Sequence, residues 1–148
     1  MIVSIAMIGK DSGKSDFSVA LRTYLKRIGG HATVEMPIFS SAEALFQSRQ
    51  RQRARTAPYL VLLDSRGRQF SSEQFAEWLG KQRDQGQQAI IFAIGPADGW
   101  SDEVRKQANL LLSLGPMTLP HELARVVLSE QIYRAFTILS GHPYHTGH

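Results

Sequence analysis

The residues best equipped for chemistry crowd into the last third of the chain. Gly141–His145 reads GHPYH, which sets two imidazoles and a phenol side by side in a tail. Imidazole exchanges protons near neutral pH, and aromatic rings stack on nucleobases. Arg134, in the apolar stretch just before, adds a permanent cation. Further upstream, two apolar runs each break at a Gly-Pro pair: FAIGPADGW at Phe92–Trp100 and LLLSLGPMTLPH at Leu110–His121. Strand ends that open into such loops expose backbone donors and acceptors beside apolar walls, which suits a ligand on an open α/β sheet. Leu63, Ile94, Leu114, Met117 and Leu119 can supply those walls. His142 and His145 have no third partner at ligand spacing, so no metal is expected.

A second candidate lies near the start. GKDSGKS at Gly9–Ser15 follows an apolar run and precedes a helical pattern, the setting of a nucleotide phosphate loop. That loop needs four residues between its glycines. Here Lys10, Asp11 and Ser12 are the only residues between Gly9 and Gly13, and Asp11 would set a negative charge inside the anion nest. The LVLLD ending at Asp64 tempts one to add a magnesium ligand, but an apolar strand ending in Asp is common in α/β proteins. A nucleotide hydrolase is therefore the weaker reading.

These groups need a scaffold, and periodicity supplies one. MIVSIAMI, Tyr59–Leu63, Ala89–Ile94 and Leu110–Leu112 are near-continuous apolar runs, and His31–Met36 is a further strand that Pro37 stops. Between them fall helical patterns: Phe17–Ile28 capped by Ser15 or Asp16, Ser40 or Ser41 to Ala54, Ser71 to Lys81, and Asp102–Asn109. Thr118 or Leu119 starts a last helix to about Leu139, with Pro120 in its first turn. Strands without polar alternation are covered on both faces. The alternation thus predicts one domain over residues 1–148, with a mainly parallel sheet between helix layers.

The charge is uneven. Residues 1–70 hold eleven Lys/Arg against five Asp/Glu, and residues 71–148 hold six against eight. A basic half is the footprint of a polyanion partner such as RNA, and Arg49, Arg51, Arg53 and Arg55 are the candidates for its phosphates. The absence of cysteine excludes disulfides and thiol chemistry and fits the cytoplasm, and no apolar run is long enough to span a membrane.

LLDSRGRQFSSEQFA, FAIGPADGW and SLGPMTLPHELARVVLSEQIYRAFTI, closing on GHPYH, together resemble the ribosomal large-subunit pseudouridine N3-methyltransferases of the SPOUT class. The resemblance implies a C-terminal trefoil knot, a homodimer, and S-adenosyl-L-methionine as cofactor. It also implies action on N3 of a pseudouridine in 23S rRNA of the ribosome. It maps the cofactor contacts to Leu63, Gly95 and the run Leu114, Gly115, Pro116, Met117, Thr118 and Leu119. Two positions depart from the family pattern, Pro96 and Gly115, and Pro96 has no N–H to offer a ligand. Methyl transfer to an imide nitrogen needs a proton acceptor, for which His145 is the candidate. Arg134 would stabilise the anion, and Tyr144, with Tyr133 and His142, would hold the base. The apolar residues of the last helix, Leu123, Val126, Val127, Tyr133 and Leu139 among them, would also meet a partner helix. A non-catalytic RNA-binding module is the alternative reading.

Overall fold

The computed structural model describes residues 1–9, 16–52 and 56–146. The phosphate-loop candidate beyond Gly9, and Arg53 and Arg55, therefore lie outside the described residues. The chain alternates strands β1 (Ile2–Ile8), β2 (Thr33–Glu35), β3 (Ile38–Phe39), β4 (Tyr59–Gln69), β5 (Ala89–Ile94) and β6 (Leu110–Ser113) with helices α1 (Ser18–Ile28), α2 (Ala42–Arg51), α3 (Ser72–Asp84), α4 (Asp102–Lys106) and α5 (His121–Ser140). A 3-10 turn at Pro143–His145 follows. The strands run β2-β1-β5-β4-β6, with β3 also on β1, and every pairing is parallel.

Alternate residues of the central strands feed two cores. Val3, Ile5, Val61, Ile90 and Phe92 pack with Phe75, Leu79, Leu128, Ile132 and Phe136, so α3 and α5 cover that face together with Ile28 of α1. Ala6, Leu60, Leu62, Ile91 and Ala93 pack with Leu45 and Trp100 on the other face, beside α2 and α4. The uninterrupted apolar strands reflect this double coverage.

Several boundaries differ from the sequence expectation, each for a local reason. Phe17 takes the cap position of α1 and gives no side-chain hydrogen bond, so Asp16 does not cap it. The second strand splits at Pro37, and β3 resumes on β1 beyond it, with Met7 N–H donating to Pro37 O at 3.1 Å. Helix α2 starts after Ser41, whose Oγ accepts from Ala44 N–H, and ends at Arg51. Helix α3 carries a full capping box between Ser71 and Gln74 and runs to Asp84. Helix α5 begins at His121 with Pro120 as the residue before it, two or three residues later than expected.

The largest difference is in β4. It does not turn at Ser65–Arg68 but continues to Gln69. Leu63 and Arg68 both pair with Leu112, so residues 64–67 bow out of the ladder while β6 runs past them. A Cβ on Gly67 would lie 2.6 Å from the carbonyl carbon and oxygen of Leu111. Residues 64–69 and 110–115 therefore touch backbone to backbone.

Arg49 is spoken for inside the fold. Its Nε and Nη2 donate to Pro58 O at 3.0 and 2.8 Å, and Nη2 also reaches Asn109 Oδ1 at 2.9 Å. Asn109 Oδ1 accepts from Leu60 N–H at 2.8 Å as well, so one guanidinium ties α2, β4 and the entry to β6. This corrects its assignment to RNA phosphates. Removing it leaves the Pro58 carbonyl without that donor, while Asn109 keeps Leu60 N–H, and Arg49→Ala is expected to lower unfolding free energy by about 1–3 kcal/mol in urea titration. Unchanged stability would show that these bonds contribute nothing.

Candidate functional site

Three loops converge at the carboxyl ends of β4, β5 and β6. The chain leaves β4 to one side for β5, then crosses back to β6 on the other side, so the crevice sits at a reversal of strand order, where ligands bind in open α/β sheets. A cleft of about 370 Å³ opens there. Of the eight residues expected to hold cofactor, Leu63, Gly95, Leu114, Gly115, Met117, Thr118 and Leu119 line it. Pro116 does not, and its ring is exposed. Met117 is 81% exposed, an apolar side chain standing at the rim.

The loops are fastened to one another. Trp100, 7% exposed, donates Nε1–H to Leu63 O at 3.0 Å and lies against Gly95. A Cβ on Gly95 would stand 2.7 Å from the indole, so this position needs glycine to let the loop close. Gly95→Ala is expected to push Trp100 off Leu63 and weaken S-adenosylmethionine binding at least about tenfold in calorimetry, with the fold retained. Undiminished affinity would remove the Gly95–Trp100 contact from the site. Ser113 joins the other two loops: its Oγ donates towards Ser65 O at 3.2 Å and Gly115 O at 3.1 Å, and accepts from Gly115 N–H at 3.1 Å. Gly115 has φ 129, a backbone few side chains tolerate, and nothing fills the space where its Cβ would be.

Asp64 is an architectural carboxylate. It is 7% exposed at its side chain, accepts from Arg66 N–H at 2.9 Å, and pairs with Arg105 Nε at 3.1 Å. Its partners are cations and an amide. Among the described residues, no group of three or more His, Cys, Asp or Glu is placed to hold a metal. No helix among them is long and apolar enough to cross a membrane.

The residues expected to act on the acceptor form a separate group. Glu130 Oε1 accepts from Arg134 Nε and Nη2 at 3.0 and 2.5 Å and from Tyr144 O–H at 3.2 Å. The Arg134 guanidinium sits 5.2 Å from the centroid of the Tyr144 ring, and Tyr144 meets Tyr133 edge-on. The tail is thus held: His142 Nδ1 accepts from Tyr144 N–H, and His145 buries an Nδ1 with no partner among the described residues. Arg134 is raised above its ordinary value by its bond to Glu130. Burial, then the hydrogen bond shared with Tyr24, then the neighbouring Glu130 charge hold the Tyr144 phenol well above the usual value of about 10. Its neutral form therefore contributes stability that is complete below about pH 10 and is lost as pH climbs through the folded value. In alkaline absorbance titration one of the four tyrosines is expected to ionise after the rest, and Tyr144→Phe should abolish that late step. A late step that survives in Tyr144→Phe would assign it elsewhere.

These two groups do not meet in one chain. His121 lines the cleft and Arg134 lies thirteen residues on, about 20 Å along a helix. The sequence did not reveal Trp100, Ser113 or Glu130 as parts of either group. A tryptophan directly after a Gly-rich loop was the one signal present.

A cleft among loops at the carboxyl ends of parallel strands is where an open α/β sheet takes a small ligand. Residues 1–145 match the family described as "Predicted SPOUT methyltransferase", and the chain belongs to this family of methyltransferases. It is 52% identical over all 148 residues, and over the whole of the other chain, to a protein of Koribacter versatilis named ribosomal RNA large subunit methyltransferase H. A Rhodospirillum centenum protein of the same name is 59% identical over 86 residues, 58% of this chain and 57% of that one. Solved structures share the fold at low identity. The SpoU methyltransferase AviRb of Streptomyces viridochromogenes, in complex with AdoMet, gives a TM-score of 0.52 at 15% identity over 90% of this chain and 57% of that one. A probable methylase family protein of Haemophilus influenzae gives 0.57 at 11% over 99% and 70%.

Proposed function

We propose that this protein is a cytoplasmic, homodimeric methyltransferase that uses S-adenosylmethionine to methylate N3 of a pseudouridine in 23S rRNA of the ribosome. The full-length 52% identity to the Koribacter versatilis rRNA methyltransferase carries this reading. The cleft fits the cofactor: Leu63, Leu114 and Leu119 offer apolar walls for an adenosine, and the loops about Gly95 and Gly115 bring backbone close without Cβ atoms in the way.

When bound, the cofactor supplies an electrophilic methyl on a sulfonium, which leaves with the C–S electron pair as a neutral thioether. The chain's residues must hold the acceptor nitrogen in line with that methyl and remove its proton. His145 takes the proton from N3 as the N–C bond forms. Arg134 stabilises the charge that builds on the imide oxygens, and the un-ionised Tyr144 donates a hydrogen bond rather than accepting the proton. Because Arg134 and the cleft are about 20 Å apart along α5, the tail completing each cleft comes from the partner. The half-buried Leu123, Val126 and Val127 on the outer side of α5 suit a helix from a second copy. Leu139 does not join them, because it packs on Gly80 of α3.

The test is transfer of radiolabelled methyl to ribosomes lacking the modification, followed by nucleoside mass spectrometry. One methyl on one pseudouridine is expected. S-adenosylmethionine binding with no transfer to ribosomes, subunits or free rRNA would sink the reading in favour of a non-catalytic module.

A further inference from the structure

The loops at the carboxyl ends of β4, β5 and β6 line their cleft with unequal chemistry. Leu63, Leu114 and Leu119 are apolar walls, whereas Asp64, Arg66 and Asp98 bring fixed charges. Asp64 and Arg66 stand in the 64–67 bow of β4. Asp98 stands in the turn after β5, which Gly99 N–H closes on Pro96 O at 2.9 Å.

The Asp64 charge is already balanced. Its buried carboxylate lies between Arg105 Nε at 3.1 Å and Arg66 Nε at 3.4 Å. Arg66 N–H also donates to Asp64 Oδ1 at 2.9 Å, which fixes the backbone that carries the Arg66 side chain. That side chain is 62% exposed and spends only Nε on Asp64, so both of its Nη groups keep their hydrogens free among the described residues. The Asp98 carboxylate is exposed and forms no hydrogen bond or ion pair among the described residues. Two opposite charges therefore line one cleft from different loops without pairing with each other. A ligand that carries an anionic and a cationic group satisfies both, and an α-amino acid carries the two on one carbon.

We propose that Arg66 and Asp98 bind the amino-acid end of S-adenosylmethionine, Arg66 through its carboxylate and Asp98 through its ammonium. This rests on the reading of the cleft as the cofactor site. A guanidinium suits the carboxylate, because its planar fork of N–H groups matches two oxygens at once. The sulfonium has three arms: the adenosyl carbon, the amino-acid chain and the methyl. The apolar walls hold the first and the charged pair holds the second. With two arms fixed, the direction of the third is set, which is the alignment that methyl transfer requires.

Calorimetry with three ligands tests this. S-adenosylhomocysteine has the whole amino-acid end, its decarboxylated form keeps only the amine, and methylthioadenosine has neither group. Arg66→Gln should weaken S-adenosylhomocysteine about fivefold at low salt and leave the other two ligands unchanged. Arg66→Lys should restore most of that loss. Asp98→Asn should weaken both amine-bearing ligands by a similar factor and leave methylthioadenosine unchanged. Equal losses for all three ligands in Arg66→Gln would mean that the arginine shapes the cleft rather than pairing with a carboxylate, and would overturn the inference. Unchanged S-adenosylhomocysteine affinity in that variant overturns it too, and weaker ribosome binding alongside would assign Arg66 to an RNA phosphate. Should Arg66→Gln fail to fold, an Asp98→Asn protein with wild-type affinity for both amine-bearing ligands overturns it instead. Wild-type protein that binds none of the three overturns the cofactor reading of the cleft and this inference with it.

Discussion

Two variants that are each inactive should recover methyl transfer when combined. Gly95→Val drives a branched side chain into Trp100, whose ring already lies 2.7 Å from the position of a Cβ there, and should empty the cofactor cleft. His145→Ala removes the proposed proton acceptor and leaves that cleft intact. Alone, each should lose about a hundredfold or more in rate. Co-folded in equal amounts, half of the dimers carry one copy of each. If a tail serves the partner's cleft, one of the two sites in such a dimer is whole, so activity should return to about a quarter of wild type in the mixture and about half in the purified mixed dimer. Differently tagged subunits, purified by both tags, provide the measurement. Recovery absent from a doubly tagged dimer would place both halves of the site in one chain, contrary to the 20 Å separation along α5.

The second large effect is on folding. Gly67→Val puts a side chain where Leu111 and Leu112 already have backbone at 2.6–2.8 Å. Backbone cannot rotate away as the end of a flexible side chain can. The ordinary cost of overpacking, about 1–3 kcal/mol, is thus a lower bound. Since Leu63 and Arg68 both pair with Leu112, relief at Gly67 means losing one of the two halves of the β4–β6 ladder. We expect Gly67→Val to be expressed without a cooperative urea transition, whereas Gly86→Val, at a surface turn with open space around it, should unfold cooperatively despite its backbone strain. A cooperative Gly67→Val protein of near-wild-type stability would show that 64–67 and β6 can part.

Much of this molecule is legible in its sequence, because the strands are apolar on both faces and the loops are marked by Gly and Pro. Ala89–Ile94 appears at the expected residues, and seven of the eight expected cofactor residues share one cleft. What stayed hidden was non-local. Nothing in SRGRQ says that this turn-like stretch resumes pairing with Leu112, because the partner strand lies some forty residues on. Arg49 looks like its neighbour Arg51, and only the carbonyl of Pro58 and the amide of Asn109 distinguish it. Pro116 belongs to the right motif, yet within that loop it faces away. The tail motif carried the identities of Tyr144 and His145 but not Glu130, which ties Tyr144 to Arg134, because a glutamate on a helix is ordinarily a solvated one.

Leu112, Leu114 and Gly115 line both the cleft at the strand ends and a second cleft beside Phe70 and Ser72. A group that displaces this shared wall from one side reshapes the other side as well. Whatever factor an occupant of one cleft applies to binding in the other, linkage returns the same factor in the opposite direction. The β6 loop is thus one boundary with two faces, and a substitution there is felt on both.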